Sequence, residues 1–458
     1  MSKPTAIREI ATEIRQSDGC KKKLTYIGSG TTCLVYRTDS DDIIKEFSPL
    51  IGGQPTMSRK NGACEPFTPI ESLTPFDLGI LRERRAAFDS EITIVDELNR
   101  RYKGEQDNMF LIPKDMPETS LGRCQFCDYV GGKTLRTFFE ESRKSNDFLT
   151  HFLNVLPLAV SLYDEIALYH RDSEGKGGSY GILNLDVKPD NLFAVKSQGA
   201  YIGIRNLDFG SARRIGDKPL GEAGVEPGLL SSVRAYAAEY AECNQALLTE
   251  RIASKFFATT PAFYDSERVN HAIESCLDPT KSEEAVISEL KLLDIAAAFK
   301  TFLWAFSDSD DPFQPSYTGE IELYAIKRLF ADIFKNNPLT VHNSLFESYN
   351  IYRELYDIML RIFIASGKRR SCPTASEIAD RLRNILCILG GVTENKKTDA
   401  QRDFEAMNLA LRRKDDLLTA NGLRSIQDIL DFCKTNGLKP AEKPGDLHWF
   451  LVFGKKHD

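Results

Sequence analysis

Residues 182–193 read Ile182-Leu183-Asn184-Leu185-Asp186-Val187-Lys188-Pro189-Asp190-Asn191-Leu192-Phe193. Asp186 is of a type that accepts a hydroxyl proton or orients the hydroxyl. Lys188, two residues on, balances negative charge on a phosphoryl group in transit. Asn191 offers a hard oxygen to a magnesium ion. Twenty-two residues after Asp186 stands Asp208, in Leu207-Asp208-Phe209-Gly210. Between them lie two short strand patterns, 192–196 and 201–205. Alone, Asp-Phe-Gly reads as a turn; at this distance from Asp186, Asp208 reads as the main carboxylate ligand of the same ion.

Upstream, Gly28-Ser29-Gly30-Thr31-Thr32-Cys33-Leu34-Val35 lies between strand patterns at 24–27 and 34–38. Glycines let a backbone approach phosphates closely and leave its amides open as donors. No helix follows, which excludes a dinucleotide-binding turn. On its own the pair of glycines is an ordinary turn. A third strand, 43–47, follows the polar turn Asp39–Asp42 and carries Lys45. A strand lysine is commonly just solvated. A lysine held near phosphates needs a carboxylate to fix it, and Glu91 is available on a helix expected over 81–102.

In this order and on these elements, the residues resemble the eukaryotic-type Ser/Thr protein kinase family over about residues 24–390. The resemblance implies an α+β, bilobal, protein-kinase-like fold: a small antiparallel-sheet N-lobe and a larger helical C-lobe. It implies ATP and Mg²⁺ in the cleft between lobes. Gly28, Ser29 and Gly30 would cover the phosphates, and Val35 would pack on the purine. Residues Asp128 to Gly131 would form the hinge that receives adenine. Lys45, positioned by Glu91, would contact the α- and β-phosphates. Asn191 and Asp208 would hold the metal. Asp186 and Lys188 would serve the transfer to a Ser or Thr hydroxyl of a protein. Ser231-Ser232-Val233-Arg234-Ala235-Tyr236-Ala237-Ala238-Glu239 resembles the family's substrate-docking loop. There Ser232 would bridge Asp186 and Lys188, and Glu239 would pair with Arg370. Asp294 resembles the aspartate that braces the catalytic loop from below.

The chain departs from the pattern in places. Cys33 takes the third glycine position, and Ala238 replaces the docking-loop proline. Asn184 and Leu185 replace the usual His and Arg. The first change weakens the scaffold around Asp208. The second removes the usual partner of an activation-loop phosphate, so activity should not depend on that modification. His170-Arg171-Asp172 spells the family's catalytic tripeptide, but the position five after Asp172 is Gly177, so it is assigned to a helix end. Two other readings stand beside the protein kinase. One is a pseudokinase scaffold that binds nucleotide or partners without turnover. The other is a small-molecule kinase, which would usually lack the Lys-Pro-Asp-Asn run.

The whole chain has 458 residues, 42% hydrophobic and 27% charged, which suits a globular protein with a large core. A net charge of −7 argues against a protein dedicated to nucleic acid. Ten cysteines are scattered, and only Cys124 and Cys127 form a C-x-x-C pair. Without a second pair they read as buried strand cysteines of a reducing compartment. The apolar stretches 152–168 and 292–306 carry charges and do not read as membrane spans, and no signal peptide precedes them. The expected location is cytoplasmic.

The domain reading gives an N-terminal helical extension at 1–19, with a helix over 6–17. A kinase domain follows at 20–390, with an N-lobe at 20–130, an insertion at 48–80 and a C-lobe at 131–390. A C-terminal helical extension or small domain occupies 391–458, with helices near 399–418 and 424–435. The insertion and the C-terminal part are candidate sites for a protein partner. Helical periodicity covers 133–143, 147–169, 235–257, 285–306, 320–335, 345–365 and 374–389.

Overall fold

A computed structural model describes residues 6–7, 13–15, 21–29, 33–47, 66–67, scattered residues from 85 to 98, 113–115, 118–119, 122–128, 131–170, 181–197, 200–219, 225–257, 259–308, 312–313, 322–335, 340–343, 346–364 and 372–393. The protein mixes an antiparallel sheet with a large set of helices. The first half supplies β1 (Ala6–Ile7), β2 (Glu13–Arg15), β3 (Lys21–Ser29), β4 (Cys33–Thr38), β5 (Asp42–Phe47), β6 (Pro66–Phe67), β7 (Pro113–Asp115), β8 (Glu118–Thr119) and β9 (Gly122–Asp128). A seven-stranded sheet runs in the order β2-β3-β4-β5-β9-β7, with β8 folded onto β9. Helical residues between 85 and 98 form α1.

The strand period of two decides which face each side chain takes. Leu34, Tyr36 and Thr38 of β4 are buried on one face, while Cys33, Val35 and Arg37 are half-buried on the other. Ile14, Leu24, Leu34, Tyr36, Ile44 and Cys124 form the core on the first face. Val35 faces Lys45 across the β4–β5 pair, so both belong to the second face. The hairpin between these strands turns where the polar run predicts. Asp41 takes a positive φ of 61°, a region that Asp tolerates better than most residues. Thr38 Oγ1 accepts from the N–H groups of Ser40 (3.3 Å) and Asp42 (3.0 Å).

The helix expected over 6–17 is not formed at 13–15, which pairs as a strand with Lys21–Lys23. Ile14 is fully buried among the sheet's core residues. A short isolated helix is marginal in water, so the burial of one β-branched side chain is enough to decide the local conformation.

The residues from Gly131 onward are mainly helical. They begin with β10 (Gly132–Thr134), α2 (Leu135–Ser145) and α3 (Phe148–His170). The irregular centre holds β11 (Ile182–Leu183), β12 (Leu192–Ser197), β13 (Ala200–Asn206), β14 (Arg213–Arg214), β15 (Lys218–Pro219) and β16 (Val225–Glu226). Then come α4 (Leu229–Glu239), α5 (Gln245–Phe256), α6 (Ser266–Leu277), α7 (Glu283–Trp304) and α8 (Glu322–Lys335). The expected strands at 192–196 and 201–205 are β12 and β13, which form a three-stranded sheet with β10. Gly132 in β10 has φ 151°, and a Cβ there would stand 2.0 Å from the Ala194 carbonyl oxygen, so only glycine lets β10 lie this close to β12.

The single helix expected over 235–257 is two helices. The first ends at Glu239, and Asn244 starts the second by accepting from Ala246 N (2.8 Å) and Leu247 N (3.4 Å). Helix α6 was not expected, although its signals are plain: Asp265 caps it, and Val269, Ala272, Ile273 and Cys276 fall on one buried face. Chain contacts divide the protein into residues 1–337 with 356–379, and residues 338–355 with 380–458. In the second unit β17 (Thr340–Asn343) and β18 (Phe346–Asn350) form a hairpin, and Arg381 donates to Glu354 at 2.6 Å. The helix expected over 345–365 thus begins only at Ile351, as α9 (Ile351–Ile364), and is followed by α10 (Ala375–Thr393). The expected C-terminal helices, and all of the 48–80 insertion but β6, lie outside the described residues.

Every side chain of α7 (Glu283–Trp304) from Leu292 onward is buried, and α3 packs on this helix. Phe148, Phe152, Phe302, Phe306 and Phe334 stack in one aromatic cluster. Each such ring removed from water stabilises the fold by about 1.5–3 kcal/mol. By length and hydropathy α3 is the one described helix that qualifies to cross a membrane, and 67% of its most apolar window is buried inside the protein.

One residue of α3 opposes this core. Glu165 is buried, and neither carboxyl oxygen takes a well-formed hydrogen bond from the described residues. Burial pushes its pKa from 4.5 up to about 8, against the Arg205 charge and the nearby Asn206 N–H. Below pH 4.5 folded and unfolded chains both carry the proton. Between 4.5 and 8 only the folded chain keeps it, so stability falls as pH rises, by about 1.4 kcal/mol per pH unit. Glu165→Gln cannot ionise. We expect it to melt with the wild type near pH 4.5 and above it at pH 8; melting curves that stay parallel across this range would refute the assignment.

Candidate functional site

Strand β5 delivers Lys45 and α1 delivers Glu91. Lys45 Nζ lies 3.0 Å from Glu91 Oε1, and both side chains are buried. Lys45 also donates to the Leu207 carbonyl oxygen at 2.5 Å. Glu91 is itself fixed, accepting from Gln125 Nε2 (3.2 Å) and from the Phe209 N–H (3.3 Å). Burial disfavours the lysine charge, but Glu91 and then Asp208 outweigh it and hold the ammonium above the usual lysine range. A buried pair of this kind is costly to break, because either partner alone becomes an uncompensated charge.

The segment 184–191 leaves β11 and enters β12 as a loop with no regular hydrogen-bond ladder, so its amides need other acceptors. Asp294, fully buried on α7, supplies them. Its Oδ2 accepts from Asn184 N (2.8 Å) and its Oδ1 from Leu185 N (3.0 Å). Tyr264 Oη donates to the same Oδ1 at 2.9 Å and accepts from Val187 N at 2.9 Å. His170, the last residue of α3, places Nε2 3.1 Å from Asp294 Oδ2. Leu185 is held at φ 62°, left-handed backbone that a leucine seldom adopts. The brace expected of Asp294 is therefore in place, and the His170 tripeptide, set aside on sequence grounds, contributes its first residue to it.

Asp186 stands at the centre. Lys188 Nζ donates to both of its oxygens at 2.9 Å. Asn191 Nδ2 donates to Oδ2 at 2.6 Å and to the Asp186 carbonyl at 3.1 Å. Thr260 Oγ1 donates to Oδ1 at 2.6 Å and accepts from Lys188 at 2.9 Å. Burial raises the Asp186 pKa and Asp208 adds to this, while Lys188 and Thr260 oppose it. Asp208 is close enough to act electrostatically on Asp186 and on Lys45. It leads a tight turn in which its Oδ1 accepts from Gly210 N at 2.8 Å.

Two expectations need correction. Ser232 does not bridge Asp186 and Lys188. Residues Ser231–Glu239 lie within helix α4, with Ser232 N bonded to the Gly228 carbonyl, and Thr260 occupies the bridging position. The run ending at Glu239 has the composition of a docking loop, but a helical ladder satisfies its backbone. The run that follows Thr260 passes through Tyr264 to the Asp265 cap of α6, a signal that was available in the sequence. Arg370, expected to pair with Glu239, lies outside the described residues. The second correction concerns Asn184. Its Nδ2 donates to the Asp208 carbonyl at 3.4 Å and its Oδ1 accepts from Asp186 N at 2.8 Å. The scaffold is therefore supplied by Asn184 where the sequence suggested a loss.

Among the nucleotide-site candidates, Gly28 and Ser29 end β3, Asp128 ends β9 and Gly131 precedes β10. Val35 lies opposite Lys45, and Gly30 is outside the described residues. A Cβ at Gly28 would meet no described atom within 4 Å, so packing does not require glycine there. Asn191 Oδ1 and Asp208 Oδ2 take no hydrogen bond from the described residues. Both are hard oxygens suited to magnesium, which asks for one or two protein ligands and completes its shell with phosphate and water. Among the described residues no group of three or more His, Cys, Asp or Glu side chains forms a self-sufficient metal site.

No protein-family model matches the chain, and no curated protein matches it significantly.

Proposed function

We propose that the chain is a protein Ser/Thr kinase of bilobal fold, transferring the γ-phosphate of ATP to a protein hydroxyl. The observation that carries this reading is the Asp186 carboxylate, held at once by Lys188, Asn191 and Thr260 within electrostatic reach of Asp208. Phosphoryl transfer asks a protein for positioning and charge stabilisation rather than covalent chemistry. Asp186, with its lone pairs directed by three donors, orients the acceptor hydroxyl and takes its proton. Lys188 stays beside it as the charge that balances the phosphoryl oxygens. Lys45, fixed by Glu91, grips the other phosphates. Asp208 and Asn191 would hold Mg²⁺, which when bound neutralises phosphate charge.

The test is label transfer from γ-labelled ATP with Mg²⁺, using the full chain and a panel of protein and peptide acceptors. Phosphoserine or phosphothreonine in the acceptor is the expected product. Tight nucleotide binding without transfer to any acceptor would favour a non-catalytic scaffold, a reading otherwise motivated by Asn184, Leu185 and Cys33 at the third glycine position. Label that moves only to small hydroxyl compounds would sink the protein-substrate reading.

Thr260 gives a sharper check. Thr260→Val keeps the shape but removes the donor to Asp186 Oδ1 and the acceptor for Lys188. A hydrogen bond to a charged group contributes about 1.5–3 kcal/mol, so we expect kcat to drop roughly ten- to a hundredfold. Ser232→Ala should leave kcat within about twofold. The reverse pattern would return the docking role to Ser232.

A further inference from the structure

Arg214 closes β14, whose partner strand β11 runs straight into the Asp186 loop, with Arg214 opposite Ile182. Its side chain is only 6% exposed and reaches two carboxylates on different elements. Nε and Nη2 engage Glu97 of α1, Nε at 3.2 Å. Nη1 lies 3.3 Å from Glu226 Oε1 on β16. The planar guanidinium is suited to this, since its two edges present donors in fixed directions. Glu97 follows Glu91 by six residues on α1, a distance of roughly 9 Å along a helix. Helix α1 is thus pinned at two points: by Lys45 and the Phe209 N–H at Glu91, and by Arg214 at Glu97.

The Arg214–Glu97 pair runs between α1 and the segment after Asp208. A cavity of about 470 Å³ separates them, lined among others by Asp89, Thr93, Ile94, Arg213, Ser232 and Phe256. Glu97 alone would answer the Arg214 charge but would not bring β16 and the start of α4 into the tie with α1. Glu226 is the group that includes them.

We propose that Glu226 is a positioning residue, a carboxylate built into the chain that acts through Arg214 to hold α1 where Glu91 meets Lys45. The segment following Asp208 then needs no added phosphate to anchor α1. The effect on turnover rests on the kinase reading above; the effect on α1 does not.

The two are separable in one experiment on the full chain. Hydrogen exchange of peptides covering 85–98 is compared among wild type, Glu226→Gln and Glu226→Asp, with α7 peptides as the internal reference. Phosphotransfer kinetics are measured on the same samples. Glu226 is 45% exposed, so neither change is expected to prevent folding. A partly exposed ion pair predicts about a fivefold rise in exchange at 85–98 for the Gln variant, none in α7, and recovery by Asp. kcat should fall by a similar factor with KM for the protein acceptor unchanged. Unchanged exchange at 85–98 overturns the proposal, as does a rise that spreads equally to α7. If the wild type transfers no phosphate, the kinase reading fails while the exchange data still decide the tie.

Discussion

Asp186→Asn is expected to lower phosphoryl transfer by about a thousandfold, within the range of a lost general base, while leaving nucleotide affinity near the wild-type value. The amide fits the same space, and Thr260 and Asn191 can still donate to its oxygen. It cannot take a proton, and Lys188 loses the charge it answers. The pH profile supplies an independent sign. Burial, seconded by Asp208, raises the Asp186 pKa, so kcat/KM should climb with pH as Asp186 ionises, with a midpoint above the ordinary aspartate range. Thr260 lowers that pKa, so Thr260→Val should move the midpoint higher still. A profile flat through this region in the wild type would remove Asp186 from the role of base.

Asp294→Asn is the second large effect, on stability and activity together. The carboxylate accepts from two backbone amides and the Tyr264 hydroxyl and meets His170. Burial holds the His170 pKa down, so its ring is neutral near pH 7 and serves as a donor. An asparagine can accept at one oxygen only and must turn its own N–H groups against donors. Breaking a buried charge-centred network costs about 3–5 kcal/mol. Leu185 would then be free to leave its left-handed conformation and carry Asp186 with it. We expect a lower melting temperature and a kcat loss comparable to that of Asp186→Asn. A variant that melts and turns over like the wild type would show that the loop is held by something else.

The site was readable where chemistry is local and unreadable where it is not. Asp186, Lys188 and Asn191 lie within six residues, so their proximity was legible from spacing alone. Lys45 and Glu91 were paired by a general need, a lysine wanting a carboxylate, and they meet at 3.0 Å. Thr260 was missed because 74 residues separate it from Asp186 and a better-looking decoy came first. Asn184 is illegible as a scaffold by resemblance, which leads one to expect a histidine there, although an amide can donate and accept at once. Ile14 shows the same limit in the fold: its helical spacing is genuine, but the sheet offers it more burial.

The spread of the Asp186 neighbourhood along the chain also fixes when it can exist. Lys188 and Asn191 are adjacent in sequence, yet Thr260 follows 74 residues later and Asp294 braces Asn184 from 110 residues away. During synthesis at roughly 5–20 residues per second, about 5 to 22 seconds pass between the appearance of Asn184 and that of Asp294. Throughout that interval the loop has its reactive groups but not its support, and closing so long a loop is entropically costly before the contact rewards it. On the kinase reading, a nascent chain would therefore lack a supported Asp186 loop until α7 docks.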